Sequence, residues 1–445
     1  MSTLEGLFSF NRTYTKVTFS KAFVYFFFLF FNFMVTFRVL LVTLLNAVEI
    51  LLEYVYIASI FIYLGYRISK RIFEKNYVIN ALEGIMIAFF ILPFIAGVAS
   101  YMEFGQPLIY GVGTFRDFYL IYGALIVYNM LREGDIDIKL VERALLSVAW
   151  FNLFAFYAMS LFTNPADYQD TGAAGANELK GGEVYYRFNM CFMFFGTIYY
   201  SVKAFIRNKA YYLLYASLFL IYIVFFRLDR TSIAVTLGAV GAFLLFSSPL
   251  RRLVLYIFKF GIPLVFFALL SYFFFPEVYD QYILMFADVF DTVAATQEAG
   301  SSTESIRLVE LEIALRGIAE NPWFGNGKVS GQWVEGGYNY FYGFFYASDI
   351  GIFGQVFIYG IFGTLILYSQ FPFTLYYSLR IRALNNDVFL LTLQYLMLAL
   401  FVDSISNGYL SIYAAQSFTC MVLVYYYFER DKILRVTKRL KVKTS

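Results

Sequence analysis

Apolar and polar positions alternate along this chain in long blocks rather than residue by residue. Apolar stretches fall at about 17–37, 47–66, 77–99, 108–130, 144–162, 184–202, 210–226, 231–248, 253–275, 346–370, 388–405 and 411–428. Roughly 20 apolar residues is the length an α-helix needs to cross a bilayer. The pattern predicts an all-α polytopic membrane protein of about twelve transmembrane helices. The first two stretches are nearly fused, interrupted by Arg38, Asn46, Glu49 and Glu53. The first is expected to remain as an anchor, because it lacks a short apolar core followed by a small-residue cleavage site.

One long polar interruption breaks the series, from Pro276 to about Tyr346. Within it Ile306, Val309, Ile313, Leu315 and Ile318 predict a helix with one broad apolar face. Asn321-Pro322 should end that helix, since proline restricts its predecessor and cannot donate within a turn. Gly325, Gly327 and Gly331, then Gly336-Gly337, mark turns. The chain thus divides into nine spans over 1–275, a partly helical outer loop over 276–345, three spans over 346–428 and a basic tail at 429–445. A second outer segment, 163–183, is polar and glycine-rich and is expected to be irregular.

Charge placement supplies the orientation. Arg67, Lys70, Arg71, Arg132, Lys139, Arg143, Lys203, Arg207, Arg251, Arg252, Arg380 and Arg382 fall in every second connection, and Arg430 to Lys443 adds a basic end. By the positive-inside rule both termini are expected in the cytoplasm, with the long loop outside. The tail is expected to meet anionic lipids of the inner leaflet.

Composition excludes several chemistries. No histidine is present, so an imidazole base, relay or metal ligand is ruled out. The two cysteines, Cys191 and Cys420, both lie in apolar stretches and suggest neither a disulfide framework nor a sulfur-ligated metal. No glycine-rich phosphate loop occurs, and neither a nucleotide nor a nucleic acid is implied as partner. No metal or cofactor is expected.

The outer-side arginines are the sharper signal. Arg227 and Arg230 flank Asp229 at the junction of two spans, Arg116 precedes Asp117 early in the fourth span, and Arg307 and Arg316 lie on the loop helix. Nine residues place the last two on opposite sides of that helix. Ordinary ion pairs would explain each of them: Arg116 with Asp117, Arg307 with Glu304 or Glu310, Arg316 with Glu312 or Glu320. As a group they would suit a lipid-linked diphosphate, because guanidinium forks match phosphate oxygens and can neutralise a departing pyrophosphate. Gly325 and Gly327 are either turn residues or points of close approach to a sugar. Trp323, Trp333, Tyr338, Tyr340 and Tyr342 are either a membrane-interface belt or flat faces for sugar rings.

Three pieces of the chain resemble the O-antigen ligase/polymerase superfamily of membrane glycosyltransferases (Wzy/WaaL-like). Arg230-Thr231-Ser232 stands where that family has an S-R-[ST]-like motif ahead of an apolar span. Arg307, the helix after it and Asn321-Pro322-Trp323-Phe324-Gly325-Asn326-Gly327 are similar to its R…N-P-hydrophobic-hydrophobic-G-x-G signature. Tyr338-Asn339-Tyr340-Phe341 and Asp349-Ile350-Gly351-Ile352-Phe353-Gly354 are similar to its H-N-x-[YF]…[ED]-x-G-[ILF]-x-G pattern. One position departs: the histidine that many ligases and some polymerases carry is Tyr338 here, which leans the reading toward a repeat-unit polymerase.

The resemblance implies a GT-C-like membrane fold in the bacterial cytoplasmic membrane. It implies a polymerase of undecaprenyl-diphosphate-linked oligosaccharides for O-antigen, capsule or exopolysaccharide, with an O-antigen ligase or a lipid-linked glycan flippase as the rival readings. Arg230 and Arg307 would hold the donor diphosphate; Asp349, Glu310, Glu335 and Asp229 are candidates, by charge alone, to serve the acceptor hydroxyl. Arg116, Arg227, Arg316, Trp323, Gly325, Gly327, Tyr338 and Asn339 would bind substrate. Partners would be lipid-linked donor and acceptor, membrane lipids, and a chain-length regulator or flippase of the same pathway.

Overall fold

The computed structural model describes residues 21–25, 27, 46–73, 80–163, 177–180, 183–186, 190–226, 230–247, 273, 303–384, 386–411 and 414–444. These residues are mostly helical. In chain order the helices are α1 (Asn46–Phe73), α2 (Ala81–Phe104), α3 (Leu108–Gly113), a 3-10 segment (Arg116–Tyr122), α4 (Gly123–Glu133) and α5 (Ile138–Phe162). Then come α6 (Met190–Arg207), α7 (Tyr211–Ile221) with a π-helical turn (Tyr222–Phe226), and α8 (Arg230–Ser247). The rest are α9 (Thr303–Glu320), α10 (Asn339–Tyr342), α11 (Gly351–Tyr368), α12 (Gln370–Ser378), α13 (Val388–Ser406) and α14 (Ala414–Thr444).

Four helical stretches among the described residues are long and apolar enough to cross a membrane: Ala81–Phe104, Ile138–Phe162, Gly351–Ser378 and Val388–Ser406. Shorter apolar helices cover Tyr211–Val224 and Thr231–Phe246. The expected span at 253–275 and most of that at 17–37 lie outside the described residues. The expected span at 108–130 is divided, as α3, the 3-10 segment and α4 follow one another. A two-stranded antiparallel ribbon, β1 (Asn177–Lys180) with β2 (Glu183–Tyr186), runs from the 163–183 segment expected to be irregular into the start of the expected span at 184–202, where helix begins only at Met190. Its strands are joined by Gly181-Gly182, the residue type that two-residue hairpin turns favour.

The helices pack around α13, which contacts α6, α8, α11, α12 and α14. Its Leu390, Leu393, Leu396 and Met397 are buried, as are Phe418, Met421, Val422 and Val424 of α14. Past its apolar part, α14 is tied to the α12–α13 connection. The fully buried Asp431 accepts the amides of Arg382 (3.3 Å) and Ala383 (2.6 Å) and pairs with Arg435 at 2.8 Å.

The feature that positions the outer loop is a break in α11. Gly360 takes φ 66° and ψ −178°, far from helical values. An unbroken helix would bond Ile361 N–H to the Phe357 carbonyl and Phe362 N–H to that of Ile358. Instead, the segment after α9 enters the gap. Asn326 and Gly327 donate to Phe357 (2.7 Å) and Ile358 (3.0 Å), while Ile361 and Phe362 donate to the carbonyls of Pro322 (2.8 Å) and Trp323 (3.2 Å). No backbone group can go unpaired in the apolar layer, so the loop completes the span. About nine helical residues separate Gly351 from the break, which sets it roughly 13 Å along the helix.

α9 packs on α11 through a face that overlaps the expected one only in part, with Ile313 and Ile318 half-buried against the core. Glu310, Ala314 and Gly317 are buried, whereas Val309 and Leu315 are 55 % and 48 % exposed. The reason is distance: a Cβ on Gly317 would lie 2.5 Å from the Phe357 ring and 2.9 Å from Asn326 Nδ2, so only a stripe of small residues lets the helices approach.

At Gly360 a Cβ would meet the Trp323 carbonyl oxygen at 2.2 Å, on a backbone already in the left-handed region. Gly360→Ala is therefore expected to lower stability by on the order of 3 kcal/mol or more. Thermal unfolding of the purified protein in detergent checks this, with Gly238→Ala, in open space on α8, as the neutral control.

Candidate functional site

The loop is fastened to α2 as well as to α11. Gln106, fully buried just past the end of α2, donates to the Lys328 carbonyl (3.0 Å) and accepts the Ser330 amide (2.7 Å). Asn321 donates to Glu103 (2.9 Å) and to Asn326 Oδ1 (2.8 Å). Gly327, at φ 76°, passes so close to α2 that a Cβ would lie 2.3 Å from Ala96 O and Ser100 N. Gly325 lies equally close to α11, 2.4 Å from Gly360 N by the same measure. The close approach these two glycines permit is to protein backbone.

Tyr338 continues this framework. Its hydroxyl donates to the Gly327 carbonyl, and its ring meets Phe104, Phe345 and Phe357 edge-on. Burial pushes its pKa well above the ordinary tyrosine value, so it stays a neutral donor. Asn339 uses its side-chain carbonyl to accept the Phe345 amide at 2.8 Å, closing the turn after α10.

One residue further, the turn meets α9. Glu310 is 1 % exposed, and its Oε1 accepts the Tyr346 amide at 3.0 Å. Its other oxygen is buried without a hydrogen-bond partner among the described residues. Desolvation raises the Glu310 pKa, and the nearby charge of Asp349 adds to that; the Tyr346 amide and Arg307 act the other way. Asp349, just ahead of α11, is exposed and receives the Ser348 hydroxyl at 2.9 Å. Arg307 is exposed one turn before Glu310. The structure thus gathers Arg307, Glu310 and Asp349 at the start of α11, with one carboxylate hidden and one accessible.

Other sequence candidates stand elsewhere. Arg316 is exposed and paired with Glu312 at 3.4 Å, on the far side of α9. Trp323 stacks on Phe362 of α11, rings 5.2 Å apart at 28°. Arg230 is the first residue of α8 and Arg116 the first of the 3-10 segment; their side chains, and Arg227 entirely, lie outside the described residues. Sequence reasoning missed Gln106, Glu103 and Gly360. The first two are polar residues at a helix end, and the third is a glycine inside an apolar span, a mark of close backbone approach.

A carboxyl group with a raised folded-state pKa lends stability that is present below its unfolded-state pKa and lost as pH rises through the folded value. Glu310→Gln keeps an acceptor for Tyr346 and removes the buried charge. It is expected to equal or exceed the parent in Tm at neutral pH, and the difference should vanish below about pH 4. Melting curves from pH 4 to 8 would show this.

Residues 215–368 match a family described as O-antigen ligase. No curated protein matches the chain. The matched stretch holds α8, α9, the broken α11 and the Arg307–Glu310–Asp349 group, while the α2 residues that fasten the loop fall outside it. This chain is a membrane protein whose residues 215–368 are similar to the O-antigen ligase family, in keeping with the resemblance to the O-antigen ligase/polymerase superfamily.

Proposed function

We propose that the protein is a polymerase of undecaprenyl-diphosphate-linked oligosaccharide repeat units, serving O-antigen, capsule or exopolysaccharide synthesis. Members of its family are membrane glycosyltransferase-like enzymes that act on lipid-linked polysaccharide. The observation that carries the reading is the gathering, inside the family domain, of Arg307, a shielded carboxylate and an exposed one beside an apolar span. The same proposal sets the protein in the bacterial cytoplasmic membrane with about twelve spans in a GT-C-like arrangement. Both termini are then cytoplasmic and the 276–345 loop faces outward.

In this scheme the donor diphosphate binds Arg307 and Arg230, with Arg116 or Arg227 completing the cradle. The acceptor hydroxyl of a second lipid-linked repeat attacks the anomeric carbon. A new C–O bond forms as the bond to the lipid diphosphate breaks, and the arginines take up the charge on the leaving oxygen. Asp349 receives the hydroxyl proton, because it is the accessible carboxylate of the pair. Glu310 acts through the Tyr346 amide and fixes the turn that carries Asp349. The diphosphate linkage already stores the energy of transfer, so no nucleotide is needed. A tyrosine in place of the ligases' histidine favours polymerisation, since Tyr338 spends its proton on the Gly327 carbonyl.

The test is the glycan ladder of a deletion strain complemented with wild type, Arg307→Ala, Arg230→Ala or Asp349→Asn, with membrane abundance measured alongside. Single repeats in the deletion strain, long chains with wild type, and at least ~100-fold less polymer from each well-expressed arginine variant are expected. Long lipid-linked chains in the deletion strain would show a ligase, and single repeats trapped on the cytoplasmic face a flippase. Full activity of both arginine variants would overturn this placement of the chemistry.

A further inference from the structure

Two sets of aromatic rings on the loop, apart from the Phe344–Tyr346 pair, have different surroundings. Trp323 and Phe324 lie against Phe362 on the flank of α11, a ring followed along that helix by the exposed Leu365. That flank belongs to a span long and apolar enough to cross the membrane, which makes this set a lipid-facing belt. The second set rises from Phe104, the last residue of α2. Phe341 lies 4.8 Å from the Phe104 ring, Trp333 stacks on Phe341 (6.2 Å, 24°), and Tyr340 meets it edge-on at 5.1 Å. Tyr340 is 70 % exposed and Phe341 38 %.

The chemistry beside the second set is polar. Gln332 and Glu335 flank Trp333 and are both exposed, and Gly336 and Gly337 follow without side chains. A sugar ring has an apolar C–H face and a rim of hydroxyls, so flat aromatic surface edged by an amide and a carboxylate matches it. Alkyl chains would gain nothing from Gln332 and Glu335. The backbone also links this tier to the reaction centre. Asn339 pins the Phe345 amide and Glu310 pins that of Tyr346, so the chain from Phe341 to Asp349 is a fixed track. Eight residues span less than ~30 Å.

We propose that Trp333, Tyr340 and Phe341 form a saccharide subsite that stacks a ring of the oligosaccharide away from the reacting end, with Gln332 and Glu335 on its hydroxyls. This rests on the reading of the protein as an enzyme of lipid-linked glycans.

Trp150, Trp323 and Trp333 are the three tryptophans, so fluorescence separates the two sets. Two full-length variants are purified into nanodiscs: Trp150→Phe with Trp323→Phe, which leaves Trp333, and Trp150→Phe with Trp333→Phe, which leaves Trp323. The probes are lipid-free, phosphate-free oligosaccharide released by mild acid from the host strain's own surface glycan, and brominated phosphatidylcholine in the disc. Trp333 is expected to respond saturably to the oligosaccharide and to escape bromine quenching, and Trp323 to do the reverse. Tyr340→Ala, at an exposed position that folding tolerates, should weaken the Trp333 titration about 3- to 10-fold. Bromine quenching of Trp333 as strong as that of Trp323, or no response to the oligosaccharide, would overturn the subsite. A saturable Trp333 response alongside normal ladders in the deletion strain would overturn the polymerase and leave the subsite standing.

Discussion

α11 gives up two of its own backbone hydrogen bonds at Gly360 and makes four with the segment 322–327, accepting two and donating two, and the placement of the loop depends on that exchange. Each of those groups, left unpaired in an apolar surrounding, would cost about 1–3 kcal/mol. The loop therefore cannot detach without orphaning Phe357, Ile358, Ile361 and Phe362 together. A connection that would otherwise be free to vary becomes part of a membrane span.

From this anchor the order spreads outward by single side chains. Asn326 holds Asn321, which holds Glu103; Gln106 holds Lys328 and Ser330; Tyr338 holds Gly327. Asn339 and Glu310 then fix consecutive amides of the turn that delivers Asp349. A catalytic or binding group mounted this way keeps its geometry without reorganisation, which is the condition for effective electrostatic stabilisation of a developing charge. Motif residues in this chain therefore divide by task. Gly325, Gly327, Tyr338 and Asn339 build the framework, and Arg307 and Asp349 are presented by it.

The two carboxylates show how environment separates like groups. Glu310 sits under the turn with one oxygen engaged and the other enclosed, while Asp349 faces outward with a serine hydroxyl. Two acids alike in sequence receive opposite surroundings because α9 meets α11 along Glu310, Ala314 and Gly317. Gly317 permits the close approach to Phe357, with Glu310 sealed two turns earlier on the same helix.

Block hydrophobicity was enough to read a helical membrane protein, the helix ending at Glu320 before Asn321-Pro322, and the starts of α8 and α13, since length and local backbone chemistry decide those features. The motif order Arg230, Arg307, Asn321-Pro322, Tyr338-Asn339 and Asp349 likewise pointed to the family that residues 215–368 match. Sequence did not disclose which face of α9 is buried. Val309 and Leu315 point outward while Ala314 and Gly317 are buried and Ile313 and Ile318 are half-buried, because the contact is set by the distance of approach to Phe357 as well as by hydrophobicity. Nor did it disclose the break at Gly360, where each partner of the exchanged hydrogen bonds lies more than 30 residues from the other along the chain. Composition and local pattern determined what kind of chain this is. Which backbone groups meet inside the membrane layer, and so where the site stands, was decided only when distant segments came together.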